Sequence, residues 1–494
     1  MGAIVKEEVI TDAKVDLAWA PSCAVLTPGE MAAADRAAIA SGMPGFTLMR
    51  NAGRAVARAI ISRFAPCRTT VLCGPGNNGG DGFVVAAELA ARGWPVRVAL
   101  FGDAASVAGD AALAARLWPG AVLPLAPSAL DRAGLIVDAL FGAGLARDVT
   151  GVAAETLAAA AGSTVVAVDL PSGVSGLTGQ VLGVAPQATL TVTFFRPKPG
   201  HLLLPGRVLC GETVVAEIGI PASVLETIRP QAARNDPALW RDALPVRRAT
   251  DSKYTRGHLT ILGGAAMTGA ARLAGASSRR VGAGLVTIAA PDTASAAIYR
   301  GAEPGVLVTE ASLETLLEDR RRNAWLIGPG LGRGERTGEA LATLLASGRG
   351  VVVDADAISV CEGAPERLRG AALLTPHAGE YARVFGPVGE DKLDAARRAA
   401  AATGAVVLLK GADTVIASPD GRAVIDASAP PDLATAGTGD VLAGAASGLI
   451  AQGMDPLAAA CAAAWAMGEA ARRAGPGLIA EDLPPLLPSV LAAL

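Results

Sequence analysis

Two glycine-rich turns in this chain combine residue types that can do phosphate and hydroxyl chemistry. The later one, Thr435-Ala436-Gly437-Thr438-Gly439-Asp440, runs into an apolar, alanine-rich stretch with helical character. Backbone N–H groups freed at such a turn, aligned with the helix dipole, form a cradle for phosphate or a developing anion. Asp440 stands at its mouth, where a carboxylate can take the proton of a hydroxyl beside a phosphate. A lone aspartate there would more simply cap the helix. Lys410, in Leu409-Lys410-Gly411-Ala412-Asp413-Thr414, shifts the balance, because a cation and a backbone anion hole can bracket a phosphoryl group in transit.

The earlier turn is Gly74-Pro75-Gly76-Asn77-Asn78-Gly79-Gly80-Asp81-Gly82, set between the β-branched run Thr69–Cys73 and a helical run from Phe83 to Arg92. Gly74, Gly76 and Gly79 spell the dinucleotide-binding fingerprint, and Asp103 ends the following strand, so an ordinary dehydrogenase competes. Against it, two asparagines and an aspartate add side-chain oxygens that a plain pyrophosphate turn does not use. A Walker lysine is missing, which excludes a P-loop NTPase. Two more polar strand ends follow, Asp138-Ala139-Leu140-Phe141-Gly142 and Asp169-Leu170-Pro171-Ser172-Gly173. Singly, each aspartate reads as a turn former. On one rim of a doubly wound sheet, Asn77, Asn78, Asp81, Asp138, Asp169 and Ser172 converge, an oxygen-only set suited to a hard cation or to hydroxyl recognition. Lys198, fixed between Pro197 and Pro199, is a surface charge or a partner for a carboxylate or phosphate.

The elements that must position these residues alternate. In the first half, helical periodicity covers 28–42 and 46–64, and strands are expected at 69–73, 96–101, 135–139, 165–168 and 189–195. Proline and charge punctuate Pro221 to Tyr254, which reads as a linker with the boundary inside 222–245. In the second half, strands His258–Leu262, Leu285–Ala289, Ala324–Ile327, Val351–Val353, Leu373–Leu374 and Val406–Leu409 end in polar or glycine turns. Asp354, Asp356 and His377 lie on such turns, and His377 is as readily a local turn histidine as a ligand contact. Helices are expected near 440–452, 456–473 and 478–493. The pattern predicts an open α/β sheet with helices on both faces.

At 494 residues, two or three domains are expected. A composition 51% hydrophobic and 18% charged is that of a globular enzyme, and a net charge of -3 with 3% aromatic residues gives no footprint for nucleic acid. Six cysteines without CxxC spacing read as reduced thiols of a cytoplasmic protein, and three scattered histidines nearly exclude a histidine-rich zinc site. Met1 to Asp16 mixes charges with short apolar runs, unlike a signal peptide. No uncharged apolar run is long enough to span a bilayer. Neither nucleic acid nor membrane is an expected partner; a homo-oligomer is.

The motifs Asn-Asn-Gly-Gly-Asp-Gly, Asp-Ala-Leu-Phe-Gly-x-Gly, Asp-x-Pro-Ser-Gly-Val and Lys-Pro-Gly-His make Leu26 to Pro221 resemble the YjeF N-terminal, NAD(P)H-hydrate epimerase family. That likeness implies a Rossmann-like three-layer sheet domain over 1–225. It implies hydrated nicotinamide nucleotide on Asn77, Asn78, Gly79, Gly80 and Asp81, on Gly142, Ala143, Gly144, Leu145, Ala146, Arg147 and Asp148, and on Asp169. It also implies potassium near Asn78, Asp138 and Ser172. Where the family often has an acid after the Pro-Ser-Gly turn, this chain has Ser175.

Arg248 to Leu494 resembles the YjeF C-terminal, ADP-dependent NAD(P)H-hydrate dehydratase family, through Gly-Pro-Gly-Leu-Gly, Asp-Ala-Asp-Ala, Thr-Pro-His-x-Gly-Glu, Lys-Gly-x-Asp-Thr and Gly-Thr-Gly-Asp-Val-Leu-Ala-Gly. A ribokinase-like α/β domain over 235–494 is implied. Lys410, Gly411, Ala412, Asp413 and Thr414, with Gly437, Thr438 and Gly439, would meet ADP accompanied by magnesium. Ala270, Gly330, Gly332, His377 and Asp440 would face the hydrate. The expected activity is epimerisation of (R)- and (S)-NAD(P)HX by Asp169 helped by Lys198, and ADP-dependent dehydration of the (S) form with Asp440 as base. The alternatives are a kinase for a vitamin precursor with a nucleotide-sensing first half, and a sensor without catalysis.

Overall fold

Seven runs of the first half form one all-parallel sheet in the order Val122–Pro124, Val96–Leu100, Thr69–Cys73, Leu135–Ala139, Val165–Val168, Leu190–Phe194, Glu212–Ala216. Thr69–Cys73, Leu135–Ala139 and Val165–Val168 are buried along their length, as strands covered by helices on both faces must be. The structure, a computed structural model, describes residues 20–494. The reading of Met1 to Asp16 falls outside them.

Helix Pro28–Ala40 starts with a capping box, Thr27 accepting from the Glu30 N–H and Glu30 from the Thr27 N–H, with Pro28 at the first helical position. Gly45–Ile61 buries Leu48, Met49, Ala52, Val56 and Ile60, the spacing read from the sequence. The next helix departs from expectation. It runs Asn77–Ala90, so Asn77 to Gly82 are its opening turns and not a loop ahead of Phe83. Its glycines serve close packing: a Cβ on Gly79 would collide with the Gly74 carbonyl, and one on Gly82 with the Ala139 side chain. Gly53 of the preceding helix meets Val84 in the same way.

The second half is built on an eleven-stranded sheet. Leu307–Thr309, Leu285–Ala289, His258–Leu262, Ala324–Ile327, Gly350–Val353, Leu373–Leu374 and Val406–Leu409 are parallel neighbours, followed by the antiparallel Thr414–Ala417 and Ala423–Asp426. Thr438–Ala451 lies against Thr268–Arg280 through Gly444 and Gly448, where a Cβ would strike Ala274 and Ser277, or Ser278.

The stretch expected to be a linker holds structure of its own. Ala232–Arg234 adds to the second sheet beside Ala423–Asp426, and Ala24–Val25, from the start of the described chain, pairs antiparallel with it as the edge. The Leu26 N–H reaches the Pro197 carbonyl (2.9 Å) and Arg196 Nε the Pro21 carbonyl (2.8 Å), tying this edge back to the first half. A three-residue strand such as Ala232–Arg234 is too short to show periodicity, which is why composition alone made this region look like a joint.

Candidate active sites

In the first sheet the strand order reverses between Thr69–Cys73 and Leu135–Ala139, and ligands of such sheets bind beyond the carboxyl ends at that crevice. A cavity of about 860 Å³ opens there. Its walls include Asn77, Asn78, Asp81, Gly142 to Arg147, Asp169 and Lys198, with Asp35 and Met31 from helix Pro28–Ala40. Gly79 and Gly80 are buried in the helix beneath, and Asp148 is exposed away from the lining.

Asp169 is the best-supported side chain in this cavity. Its Oδ1 accepts from Lys198 Nζ (2.8 Å) and from Thr193 Oγ1 (2.8 Å), and its Oδ2 from the Ala143 N–H (2.9 Å). Burial alone would raise its carboxyl, yet the Lys198 charge, His201 and these bonds hold it well below the usual carboxylate range. Its backbone sits in the left-handed region at φ 66°, which costs a non-glycine residue about 1–2 kcal/mol. His201 holds that conformation. One ring nitrogen, Nε2, lies 2.7 Å from the Asp169 carbonyl, while Nδ1 accepts the Lys198 N–H at 3.0 Å. These partners assign the proton to Nε2. Burial and the Lys198 charge lower the imidazole to about 4, so it stays neutral. The motif Lys-Pro-Gly-His contained His201, but its spacing gave no sign that the ring joins the backbones of Asp169 and Lys198.

Asp81, on the same cavity, is pushed well above its ordinary value by burial and by the charges of Asp169 and Asp35. Two carboxyl groups with opposite shifts at one site divide proton donor from proton acceptor. Asp138 and Ser172 are fully buried behind the wall: Asp138 takes the Ser172 N–H (2.7 Å) and hydroxyl (2.6 Å), and Ser172 Oγ takes the Phe141 N–H (2.9 Å). Ser175 accepts the Thr178 N–H (3.2 Å) in a local turn.

At the carboxyl rim of the second sheet, Asp354, His377 and Lys410 follow three neighbouring parallel strands. Lys410 Nζ donates to Asp354 Oδ1 at 2.8 Å and stands 3.9 Å from Glu380 Oε2. Burial would lower the ammonium, but Asp354, Glu380 and Asp440 raise it, so it stays charged. Gly437, at φ 89°, is the N-cap of helix Thr438–Ala451, and a Cβ on Gly439 would lie 3.5 Å from Lys410 Nζ. The cap position is therefore filled by Gly437, and Asp440 sits three residues on, in the first turn. Burial and the Asp354 charge push its carboxyl up to about 6, against the pull of Lys410. The Gly437–Asp440 corner is half-exposed and open to a ligand.

His377 caps helix Ala378–Phe385 through Nδ1, which accepts from the N–H groups of Gly379 (2.9 Å) and Glu380 (3.2 Å); its side chain is 54% exposed, with Nε2 3.2 Å from Glu380 Oε1. Gly330 rests against Met267, just ahead of the helix that carries the buried Ala270, and the Gly332 N–H donates to Asp356 (2.9 Å). Thr414 closes the Lys410 turn by bonding both the N–H and the carbonyl of Gly411. Asp413 turns its carboxylate away from the rim, toward Lys392 (2.6 Å). Sequence reasoning noticed Asp354 but gave it no role, and it passed over Glu380; their pairing with Lys410 is a tertiary fact.

A doubly wound sheet with a cavity at its switch point, joined to a second sheet whose rim gathers a lysine, three carboxylates and an open helix N-terminus, defines a two-site α/β enzyme. A family model described as YjeF-related protein N-terminus matches residues 45–200, and one described as NAD(P)H-hydrate dehydratase matches residues 259–488. The chain is 39% identical to the bifunctional NAD(P)H-hydrate repair enzyme Nnr of Salinibacter ruber, over 91% of this chain and 92% of the relative. It is 38% identical to that of Moorella thermoacetica, over 91% and 93%. A solved ADP/ATP-dependent NAD(P)H-hydrate dehydratase from Bacillus subtilis is 30% identical with a TM-score of 0.46, covering 51% of this chain and 95% of that one. The chain belongs to the family of bifunctional NAD(P)H-hydrate repair enzymes. It joins an NAD(P)H-hydrate epimerase to an NAD(P)H-hydrate dehydratase, and this takes the place of the vitamin-kinase and sensor alternatives.

Proposed function

We propose that the second half phosphorylates the C6 hydroxyl of (S)-NAD(P)HX at the expense of ADP, leaving AMP, and then eliminates phosphate. Hydroxide is a poor leaving group and phosphate a good one. The ring nitrogen's lone pair expels the phosphate, and loss of the C5 proton restores the dihydropyridine. Asp440 takes the hydroxyl proton, and the N–H groups opening helix Thr438–Ala451, with Lys410, bear the charge on the phosphates. The observation that carries this is Asp440 beside Lys410 at an uncapped helix N-terminus. Gly437 to Gly439 and the Lys410–Thr414 turn form the nucleotide side; Ala270, Gly330, Gly332 and His377 form the hydrate side.

Three carboxylates, Asp354, Glu380 and Asp440, face one ammonium there, so a polyanionic nucleotide fits only with added positive charge. Magnesium suits that balance: it would come with the phosphates of ADP, with Glu380 near enough to help hold it, and would supply Lewis-acid stabilisation of the phosphates when bound. The test is mixed hydrate epimers of NADH with ADP and magnesium, followed by return of reduced-nicotinamide absorbance. Asp440→Asn should lower that rate by about 10²–10⁴-fold while ADP still binds. Near-normal turnover would exclude Asp440 as the base.

The first half feeds that site by inverting C6, which is a hemiaminal carbon. Asp169 takes the hydroxyl proton, the C6–N1 bond opens to an aldehyde, and the nitrogen re-adds to the other face. Lys198 holds the oxygen's charge, and Asp81, protonated, supplies the ring nitrogen. Potassium fits behind the wall: Asp138 is a buried carboxylate whose hydrogen bonds among the described residues all come from neutral groups, and burial raises its carboxyl. Asn78 is half-buried, and its Oδ1 faces the same strand end, 3.1 Å from where a Cβ on Gly142 would lie. With Ser172 they make an oxygen set for a hard cation, which would fix a positive charge beside Asn78. Among the described residues no helix is long and apolar enough to cross a membrane, and all six cysteines are free. The free thiols support a cytoplasmic site of action, and we propose a homo-oligomer there.

A further inference from the structure

The segment that carries Lys198 continues into the other half of the molecule. After the turn Pro199–His201 the chain is fixed within the first half, by the Gly200 N–H on the Gly176 carbonyl (3.0 Å) and the Gly206 N–H on the Gly179 carbonyl (2.9 Å). Between those anchors Leu203 is buried in the core of the second half, in one cluster with Leu409, Val415 and Ile425. The Leu204 N–H donates to Asp413 Oδ2 at 2.9 Å. Arg207 Nη1 donates to the Ala412 carbonyl at 2.9 Å and to the Ala427 carbonyl at 3.1 Å. The other oxygen of Asp413 is taken by Lys392 (2.6 Å). The turn that follows Lys410 is thus gripped from both sides, by Lys392 and Thr414 of its own half and by Leu204 and Arg207 of the other.

We infer that the epimerase half sets the shape of the dehydratase's nucleotide turn, with Arg207 as a positioning residue for ADP. This rests on the reading that the Lys410–Thr414 turn binds ADP. By tying the Ala412 carbonyl of the turn to the Ala427 carbonyl beyond the neighbouring strand, Arg207 holds the turn's backbone where the ammonium of Lys410 and the free N–H groups of the helix opening at Thr438 can act on one phosphate together. Loosening it leaves every catalytic group in place and lets the turn sample other shapes, so the effect falls on nucleotide affinity.

The test uses the full chain with Arg207→Ala, Arg207→Gln and Arg207→Lys. Arg207→Ala should raise the KM for ADP about tenfold, the worth of one charged hydrogen bond. The dehydratase kcat, the KM for the hydrate and the epimerisation rate should stay within about twofold, since those groups share no partner with Arg207. Arg207→Lys, still able to donate to one carbonyl, should recover most of the affinity, with Arg207→Gln between. An unchanged KM for ADP in Arg207→Ala, or a comparable loss in all four quantities across the series (both KM values up, both rates down), overturns the inference. Lys410→Met separates the two levels. If it leaves ADP affinity intact, the nucleotide site itself is misplaced. If it weakens ADP and Arg207→Ala does not, only the coupling fails.

Discussion

Each half sets a lysine beside a carboxylate on a sheet rim, and the two pairs are built to opposite ends. In the epimerase half Lys198 is 1% exposed and Asp169 14%, and every oxygen of Asp169 has a donor. The pair is closed and the carboxylate held ionised. In the dehydratase half the lysine is committed to a different acid, Asp354, and Asp440 is left in the first turn of its helix and raised to about 6. That carboxyl takes up a proton as pH falls through about 6. The same two residue types therefore give a carboxyl that stays ionised throughout the working range in one site and a carboxyl that titrates near 6 in the other, and the difference lies in which acid the ammonium touches.

The largest test of this contrast is Asp169→Ala. It should lower epimerisation by about 10²–10⁴-fold and leave dehydration of the correct epimer intact in the reduced-nicotinamide assay. Loss of both would dissolve the distinction between sites. Next comes His201→Ala, which frees the Asp169 and Lys198 backbones from each other. Epimer exchange followed by NMR should slow by about 10–100-fold, with the NAD(P)HX affinity nearly kept.

The pH profiles should then diverge. The base form of Asp440 is lost as pH falls through about 6, so kcat/KM for dehydration should drop about tenfold per pH unit below that. Epimerisation should stay level there, because Asp169 titrates far lower and His201 only near 4. Parallel profiles would mean the two carboxylates are not tuned apart. The smallest effect is structural. Gly444→Val, which drives a side chain into Ala274 and Ser277, should cost about 1–3 kcal/mol by overpacking, read as a lower melting temperature with the first-half cavity unchanged.

Much of this was legible in the residues. Strand ends carrying Asp138, Asp169, Asp354 and Lys410 announced the rims, because parallel strands buried on both faces read as apolar runs that stop at polar turns. The helix start at Asn77 was hidden, since glycines usually mark loops and here permit contact with Gly74 and Ala139. His201, Glu380 and Arg207 were also hidden. His201 and Arg207 work across the fold on backbone atoms, and Glu380 faces the Lys410 ammonium, contacts that no spacing rule connects.

One consequence concerns how this molecule can be taken apart. Ala24–Val25 lies at the edge of the second sheet although it precedes every strand of the first. A cut anywhere between residues 26 and 231 leaves that strip on one fragment and its mate, Ala232–Arg234, on the other. The severed dehydratase would then show a bare row of amides and carbonyls, an invitation to stick to its own kind. Swapping or deleting one catalytic half thus means carrying along a few residues that belong, by sequence, to its neighbour.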